Sequence, residues 1–333
     1  VKVLITGTAG FIGFHLARKL LAQGIEVVGV DNLNDYYSVS LKEDRNRILL
    51  NDQGYRFYKG DIADGALIGS LFCDEGFDRV IHLAAQAGVR YSIDNPRAYV
   101  DSNLVGFFNI IEGCRHHGIK HLLFASSSSV YGLNSSMPFS EHDNVDHPIS
   151  LYAATKKSNE LMAHTYAHLF GVPCTGLRFF TVYGPYGRPD MAISKFCNAI
   201  TSGEPLQLYN NGDMERDFTY IDDIVEGIAL LLDHPPAPNP GWRGDSPDPA
   251  SAPSPYTVYN IGAGQPVQLT TFLTLIEKEL GKKAIIRKLG MQPGDVRKTF
   301  ADISRLREAV GYKPKVGVEE GIRRYVDWYK SYY

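Results

Sequence analysis

The opening stretch, VKVLITGTAGFIG, restricts what this chain can fold into more than any other. A β-branched run, Val1–Ile5, stops at Gly7, and Gly10 and Gly13 follow before an apolar helical pattern begins near Phe14. Glycines at that spacing let the backbone turn sharply and approach a pyrophosphate, which sits on a helix N-terminus where unpaired N–H groups point outward. A glycine triplet alone is a frequent accident. Here a strand precedes it, a helix follows, and Asp31 ends the second strand at the expected distance. A carboxylate at Asp31 accepts hydrogen bonds from ribose hydroxyls and repels a 2′-phosphate, which favours NAD over NADP.

The first half continues the same alternation. Val1–Ile5, Ile25–Val30, Tyr55–Lys59, Arg79–Leu83 and His121–Ala125 read as buried strands, with helices such as Gly13–Gln23 and Ser102–His116 between them. This pattern implies an α/β fold, a Rossmann-type doubly wound parallel sheet spanning residues 1–180. Asp61 with Ile62, and Ala84 with Ala85, stand at the ends of later strands, where adenine and the nicotinamide ribose are expected. Residues 181–333 read mainly as a smaller, discontinuous substrate-binding lobe, with segments near 220–235 and 256–262 returning to the first domain. Residues 234–256 hold eight of the 18 prolines, cannot propagate helix or strand, and are expected to form a surface excursion or mobile loop without chemistry.

The bulk numbers narrow the function classes. A net charge of −3 over 333 residues supplies no broad basic field, which argues against nucleic-acid or membrane-surface binding. No apolar run is long enough to span a bilayer. Cys73, Cys114, Cys174 and Cys197 form no C-x-x-C pair, so neither a disulfide frame nor a metal site is suggested. With no basic leader at the start, a cytoplasmic location is expected.

Three features then point to one chemistry. Tyr152 and Lys156, in YAATK, lie at i and i+4 on one face of a helix that opens after Ser150. A phenol is a poor base at neutral pH, but an adjacent ammonium and a positively charged ring favour phenolate. Tyr152 is then placed to move the proton of a substrate hydroxyl. Ser126–Ser129 follow the strand His121–Ala125, where ligands of open α/β sheets bind, and Ser127 is placed to hold the reacting oxygen. Asn103, in the preceding helix, is expected to bridge the cofactor-side hydrogen-bond network.

TGTAGFIG, DNLNDYY, HLAAQAGVRYS, SSSSVYG, YAATKKSNE, RFFTVYGPYGRPDMA and RDFTYIDD together resemble the extended short-chain dehydrogenase/reductase family of sugar-nucleotide enzymes, over nearly the whole chain. Within that family the likeness is greatest to UDP-glucuronate 4-epimerases. The resemblance implies a tightly held NAD, a UDP-sugar substrate and a homodimer built from two helices of each subunit. It adds Phe11, Ile12, Asn32 and Leu83 to the cofactor contacts. It places UDP against Ala192, Lys195, Phe196, Arg216, Gln292 and Asp295, with Arg216 as the phosphate clamp. Related hexose epimerases carry arginine where Gln292 stands, which leaves Arg297 as a substitute phosphate contact.

The residues before VYG separate the family's activities. Members that dehydrate the sugar resemble one another in carrying acidic side chains there, and decarboxylases typically place a glutamate. Ser127, Ser128 and Ser129 are neutral. The expectation is therefore oxidation and re-reduction at C4, converting UDP-glucuronate to UDP-galacturonate. Arg188 is the candidate seat for the uronate carboxylate, helped by Thr181, Ser128 and Ser129, with Arg90 serving that anion or the diphosphate. Rival readings are a UDP-hexose or UDP-pentose 4-epimerase, a UDP-glucuronate decarboxylase, and a non-catalytic NAD-binding sensor on the same fold.

Overall fold

The central sheet forms because its strands carry apolar side chains on both faces, a pattern that suits only a parallel sheet covered by helices on each side. The computed structural model describes residues 1–333 apart from Pro293. In chain order β1 (Lys2–Thr6) leads to α1 (Phe11–Ala22), β2 (Glu26–Asp31), α2 (Val39–Leu49), β3 (Tyr55–Lys59), α3 (Gly65–Glu75) and β4 (Arg79–His82). Two short turns, α4 (Tyr91–Asp94) and α5 (Pro96–Tyr99), precede α6 (Gly106–His116), β5 (His121–Ser127), α7 (Leu151–Phe170) and β6 (Cys174–Phe179). The remainder comprises β7 (Thr181–Tyr183), α8 (Ala192–Ser202), β8 (Pro205–Leu208), β9 (Glu215–Tyr220), α9 (Ile221–Leu232) and β10 (Tyr256–Ile261). It closes with β11 (Pro266–Gln268), α10 (Leu269–Leu280), β12 (Ile285–Lys288), α11 (Ser304–Val310) and α12 (Val318–Tyr332).

Seven parallel strands run in the order β10-β6-β5-β4-β1-β2-β3. The direction of winding reverses between β1 and β4, and at such a switch point the carboxyl ends of the strands open a crevice. Late in the chain, β10 returns to pair with β6, and α9 packs against α1. The strands before and after β10 build two small sheets, β11-β9-β7 and β12-β8.

Local structure departs from the sequence expectations at two helix starts. Helix α1 begins at Phe11 rather than near Phe14, because Gly10 already serves as its N-cap. The helix expected over Ser102–His116 starts with a π-helical turn, Val100–Val105, and becomes α-helical only at Gly106. Residues 234–256 form the expected excursion, mostly exposed and without helix or named strand before Tyr256, and their last part packs against the domain. Ala250 and Ala252 are fully buried, Ser251 bridges Thr257, and Arg305 donates to the Ala250 carbonyl. The segment's prolines block regular structure but not packing.

Beneath the site lies a buried ionic network. Arg178 on β6 donates to both oxygens of Glu160 on α7, at 2.9 and 3.0 Å, and Ser126 adds a 2.6 Å bond to the same carboxylate. Burial pushes the Glu160 carboxyl up, but Arg178 and Ser126 outweigh it and hold it below its ordinary value. Glu160→Ala leaves a buried guanidinium unpaired and should cost roughly 3–5 kcal/mol, read as a lower denaturant midpoint. The stabilising contribution of Glu160 is complete above the ordinary carboxylate range. It is lost as pH falls through the lowered folded value, which the acid limb of a stability profile should show for the native chain and not for the variant.

Candidate active site

A cleft of about 670 Å³ opens at the carboxyl ends of β1, β2, β4 and β5. Its floor is the turn after β1. Gly7 has φ +79, a left-handed conformation that side chains disfavour, and a Cβ there would stand 2.9 Å from the Ala84 nitrogen. A Cβ at Gly13 would strike the Gly7 carbonyl, so this glycine lets α1 lie against the turn. The first turn of α1 carries neither an acidic residue nor a side-chain cap, and its N–H groups remain available to an anion. Thr6 braces the opposite wall: its hydroxyl accepts from the N–H groups of Leu83 and Ala84 and pairs with His82 Nδ1 at 2.9 Å.

At the end of β2 stands Asp31, expected at the adenosine, whose oxygens accept from Leu33 N at 2.9 Å and Ala9 N at 3.1 Å. Asn32 donates to Asp61 at 2.9 Å. Gly7, Gly10, Phe11, Ile12, Gly13, Asp31, Asn32, Asp61, Ile62, Leu83, Ala84 and Ala85 all line the cleft. The close-approach glycines, the uncapped helix start and the carboxylate at the end of β2 fit an NAD molecule stretched across the switch point. Asn103 does not line the cleft. It is buried, accepts from Gln86 N and donates to Gln86 O and Thr155 Oγ1, so it fixes the backbone after β4.

At the other end Tyr152, Lys156, Ser127, Ser128, Ser129, Thr181, Arg188, Lys195 and Arg90 face the same cavity. Ser150 caps α7 through the Ala153 N–H and sets the helix that presents Tyr152 and Lys156. Ser127 accepts from the Ser129 N–H, which turns the chain out of β5, whereas Ser126 points to the opposite face and binds Glu160. The electrostatics differ from the sequence expectation. Burial pushes the Tyr152 phenol up, opposed by the Ser127 hydroxyl and Arg188. Lys156 donates to the Ala125 carbonyl at 2.9 Å, and its ammonium is brought down to about 8 by burial. The polypeptide by itself thus presses both groups toward neutrality.

Arg188 is held by Asp190 through two bonds, Nε–Oδ1 at 3.0 Å and Nη2–Oδ2 at 2.5 Å. Arg216 pairs with Asp295 at 2.7 Å, and Arg90 reaches the other oxygen of that carboxylate at 3.3 Å. Arg216 lines a smaller adjoining pocket of about 140 Å³ together with Ser128, Ser129, Thr181 and Asp295. Arg297 instead pairs with Asp213 on the surface. Ala192, Phe196 and Gln292 do not line either space. On α8 Lys195 faces the cleft, and the helical step of one residue carries Phe196 into the core. Gln292 has a buried Oε1 without a hydrogen-bond partner among the described residues.

Lys42, Tyr36 and Asp190 line the cleft and were missed in the sequence. Lys42 was detectable in principle. On α2 the buried positions are Leu41, Lys42, Arg45, Asn46 and Leu49, so two cations occupy an apolar stripe. Asp190 gave no signal beyond its closeness to Arg188. For the cofactor end, Gly7→Ala forces a side chain into a left-handed position against backbone. The purified variant should carry roughly tenfold less bound NAD, or lower still, measured after denaturation and release.

With this geometry in hand, comparison with known proteins is direct. Residues 3–262 match the family described as "NAD dependent epimerase/dehydratase family". The chain is 56% identical over 333 residues to Protein CapI of Staphylococcus aureus, covering 100% of this chain and 99% of that one. It is 51% identical to a probable UDP-glucuronate 4-epimerase of Rhizobium meliloti, covering 100% and 98%. Among solved structures it is similar to UDP-glucuronic acid 4-epimerase from Bacillus cereus in complex with UDP-glucuronic acid and NAD. The TM-score is 0.89 and the identity 33%, with 100% of both chains covered. The chain belongs to the NAD-dependent epimerase/dehydratase family.

Proposed function

We propose that this chain is an NAD-dependent 4-epimerase that interconverts UDP-glucuronate and UDP-galacturonate. One observation carries the reading: Tyr152, Arg188 and the neutral run Ser127–Ser129 line a single cavity beside the dinucleotide cradle. The similarity to the Rhizobium and Bacillus epimerases over essentially their full lengths supports it.

NAD, held by the Gly7–Gly13 turn, Asp31 and the Leu83–Ala85 wall, would supply the hydride acceptor and donor for C4 of the sugar. Tyr152 takes the proton of the C4 hydroxyl, with the Ser127 hydroxyl holding that oxygen, and gives the proton back after the sugar has turned. Lys156, one helical turn from Tyr152 on the same face of α7, is anchored on the Ala125 carbonyl. Arg216, Arg90 and Lys195 hold the UDP, so that the flat 4-keto sugar rotates about its phosphate linkage without leaving. Ser127, Ser128 and Ser129 offer no carboxyl group to eliminate water from the ketone.

The carboxylate needs its own seat. A 4-keto uronate is a β-keto acid: if C5–C6 aligns with the carbonyl π system, that bond breaks, its electron pair enters the carbonyl as an enolate, and carbon dioxide leaves. Arg188, with Thr181, Ser128 and Ser129, holds the carboxylate out of alignment and stabilises its charge. The same reading extends to assembly and location. Phe108 on α6 and Leu161 on α7, 46% and 56% exposed, leave an apolar surface on two adjacent helices that suits a homodimer. Four free cysteines suit the cytoplasm.

The first test incubates the protein with UDP-glucuronate and separates the nucleotide sugars while recording carbon dioxide. UDP-galacturonate without gas is expected; pentose product with gas makes the chain a decarboxylase, and turnover of UDP-glucose alone makes it a hexose epimerase. Tyr152→Phe should lower turnover roughly a hundred- to ten-thousandfold while keeping bound NAD, an outcome a non-catalytic sensor does not give. Arg188→Ala should weaken binding of UDP-glucuronate and release carbon dioxide. Unchanged affinity and turnover in that variant remove Arg188 from the carboxylate seat.

A further inference from the structure

Arg188 does not stand alone in the cavity. Asp190 occupies one edge of its guanidinium, Nε and Nη2, while Nη1 makes no hydrogen bond among the described residues. Asp190 is fixed in turn by Tyr36, whose hydroxyl donates to Oδ2 at 3.2 Å. Tyr36 comes from a distant part of the chain, the segment that follows Asp31 at the end of β2. Its ring packs on Tyr91 with centroids 4.9 Å apart, and its hydroxyl fills the space over Gly88, where a Cβ would lie 2.5 Å away. The Arg188 backbone is fastened too, its carbonyl accepting from Ser194 Oγ at 2.9 Å and Met191 N at 3.2 Å.

An arginine in a cleft rotates about several bonds, and its fork has direction as well as charge. With one edge taken by Asp190, only the Nη1 side and the outer hydrogen of Nη2 are left to an incoming anion. We propose that Asp190, held by Tyr36, is a positioning residue that turns the free end of Arg188 toward the substrate carboxylate and so fixes the plane in which that carboxylate lies. The inference rests on the uronate reading of the cavity. It assigns the retention of carbon dioxide to a relay of three side chains, Tyr36, Asp190 and Arg188, rather than to the arginine's charge alone. It also links the two ends of the cleft, since the segment that ends β2 at the adenosine side carries the tyrosine that steadies the sugar side.

Charge and orientation make different predictions. Removing Arg188 removes both. Asp190→Asn keeps the guanidinium and its charge, and takes away only the bidentate anion that orients it. The variant should therefore bind UDP-glucuronate at least as well as the native chain, because one neighbouring negative charge is gone. It should nonetheless lose carbon dioxide in a fraction of turnovers about tenfold higher than native, or more. Tyr36→Phe, which removes one hydrogen bond, should shift the same fraction in the same direction by less.

The experiment runs the native chain, Asp190→Asn and Tyr36→Phe side by side. It measures the ratio of pentose to epimer and the affinities for UDP-glucuronate and UDP-glucose by calorimetry. If the native chain does not epimerise UDP-glucuronate, the functional reading fails. Given native epimerisation, a raised pentose ratio with retained uronate affinity supports the positioning role. An unchanged ratio in both variants overturns it. So does a parallel loss of affinity for both nucleotide sugars, which marks a general collapse of the cleft. If Asp190→Asn does not fold, the ratio in Tyr36→Phe decides: raised supports the relay, unchanged overturns it.

Discussion

Everything at the carboxyl edge of the sheet depends on how closely the turn after β1 approaches the end of β4. The Gly7 backbone sits where a methyl group would touch the Ala84 nitrogen, and a single hydroxyl, that of Thr6, binds both N–H groups of the Leu83–Ala84 segment. His82, whose imidazole is brought down to about 3 by burial and by Lys156, stays neutral and pairs with the same hydroxyl. The switch point is thus a hydrogen-bonded wall built from side chains that carry no charge. A tight backbone crevice of this kind leaves its field to be set by helix N-termini and by the groups at its two ends.

A second tie joins that crevice to the sugar end. Arg45 on α2 is fully buried and donates to the Ala9 carbonyl in the glycine turn at 2.7 Å and to the Tyr186 carbonyl at 2.6 Å. His15 on α1 binds the Pro185 carbonyl at 2.8 Å, and burial brings its imidazole down to about 4. The loop that ends in Arg188 is therefore fastened to both nucleotide-side helices through its main chain. Tyr186 adopts φ +54, a conformation that costs a non-glycine residue about 1–3 kcal/mol. Its ring is gripped by Phe14, Trp328 and Tyr332, so α12, at the far end of the sequence, helps to hold the strained turn in place. A strained turn braced at several points presents Arg188 from a nearly fixed backbone.

Much of this was legible in the sequence, and the reason is periodicity. Strand–helix alternation, the glycine turn and the i, i+4 pair Tyr152 and Lys156 are local patterns, each set by a few neighbouring residues. What could not be read depends on contacts across long stretches of chain. Tyr36 and Asp190 meet over a separation of 154 residues. Asn103 was expected to bridge the cofactor-side network, and only the fold decides which groups its amide joins, the backbone of Gln86 and Thr155 Oγ1. Phe196 followed Lys195 in a motif, but adjacent positions on a helix point about 100° apart, and only one of the two can face the cleft. The proline-rich segment was expected as a surface excursion or mobile loop, and the burial of Ala250 and Ala252 within it had no signal in its composition, because proline forbids hydrogen-bonded regularity but says nothing of burial.

Tyr152 and Lys156 show the same division between residues and environment. From the sequence, the Lys156 ammonium together with a positively charged ring was expected to favour the Tyr152 phenolate. In the folded chain burial works on both, raising the phenol and lowering the ammonium, and each moves toward its uncharged form. The polar groups that oppose this at Tyr152 are Ser127 and Arg188, one from the end of β5 and one from the braced loop. A buried phenol near neutrality is poised for a cation rather than already ionised, since a positive charge placed against it in a cavity screened from water acts more strongly than the same charge in solvent. The fold therefore holds the Tyr152 phenol in its neutral form, and a cation placed in the cleft would favour its ionisation.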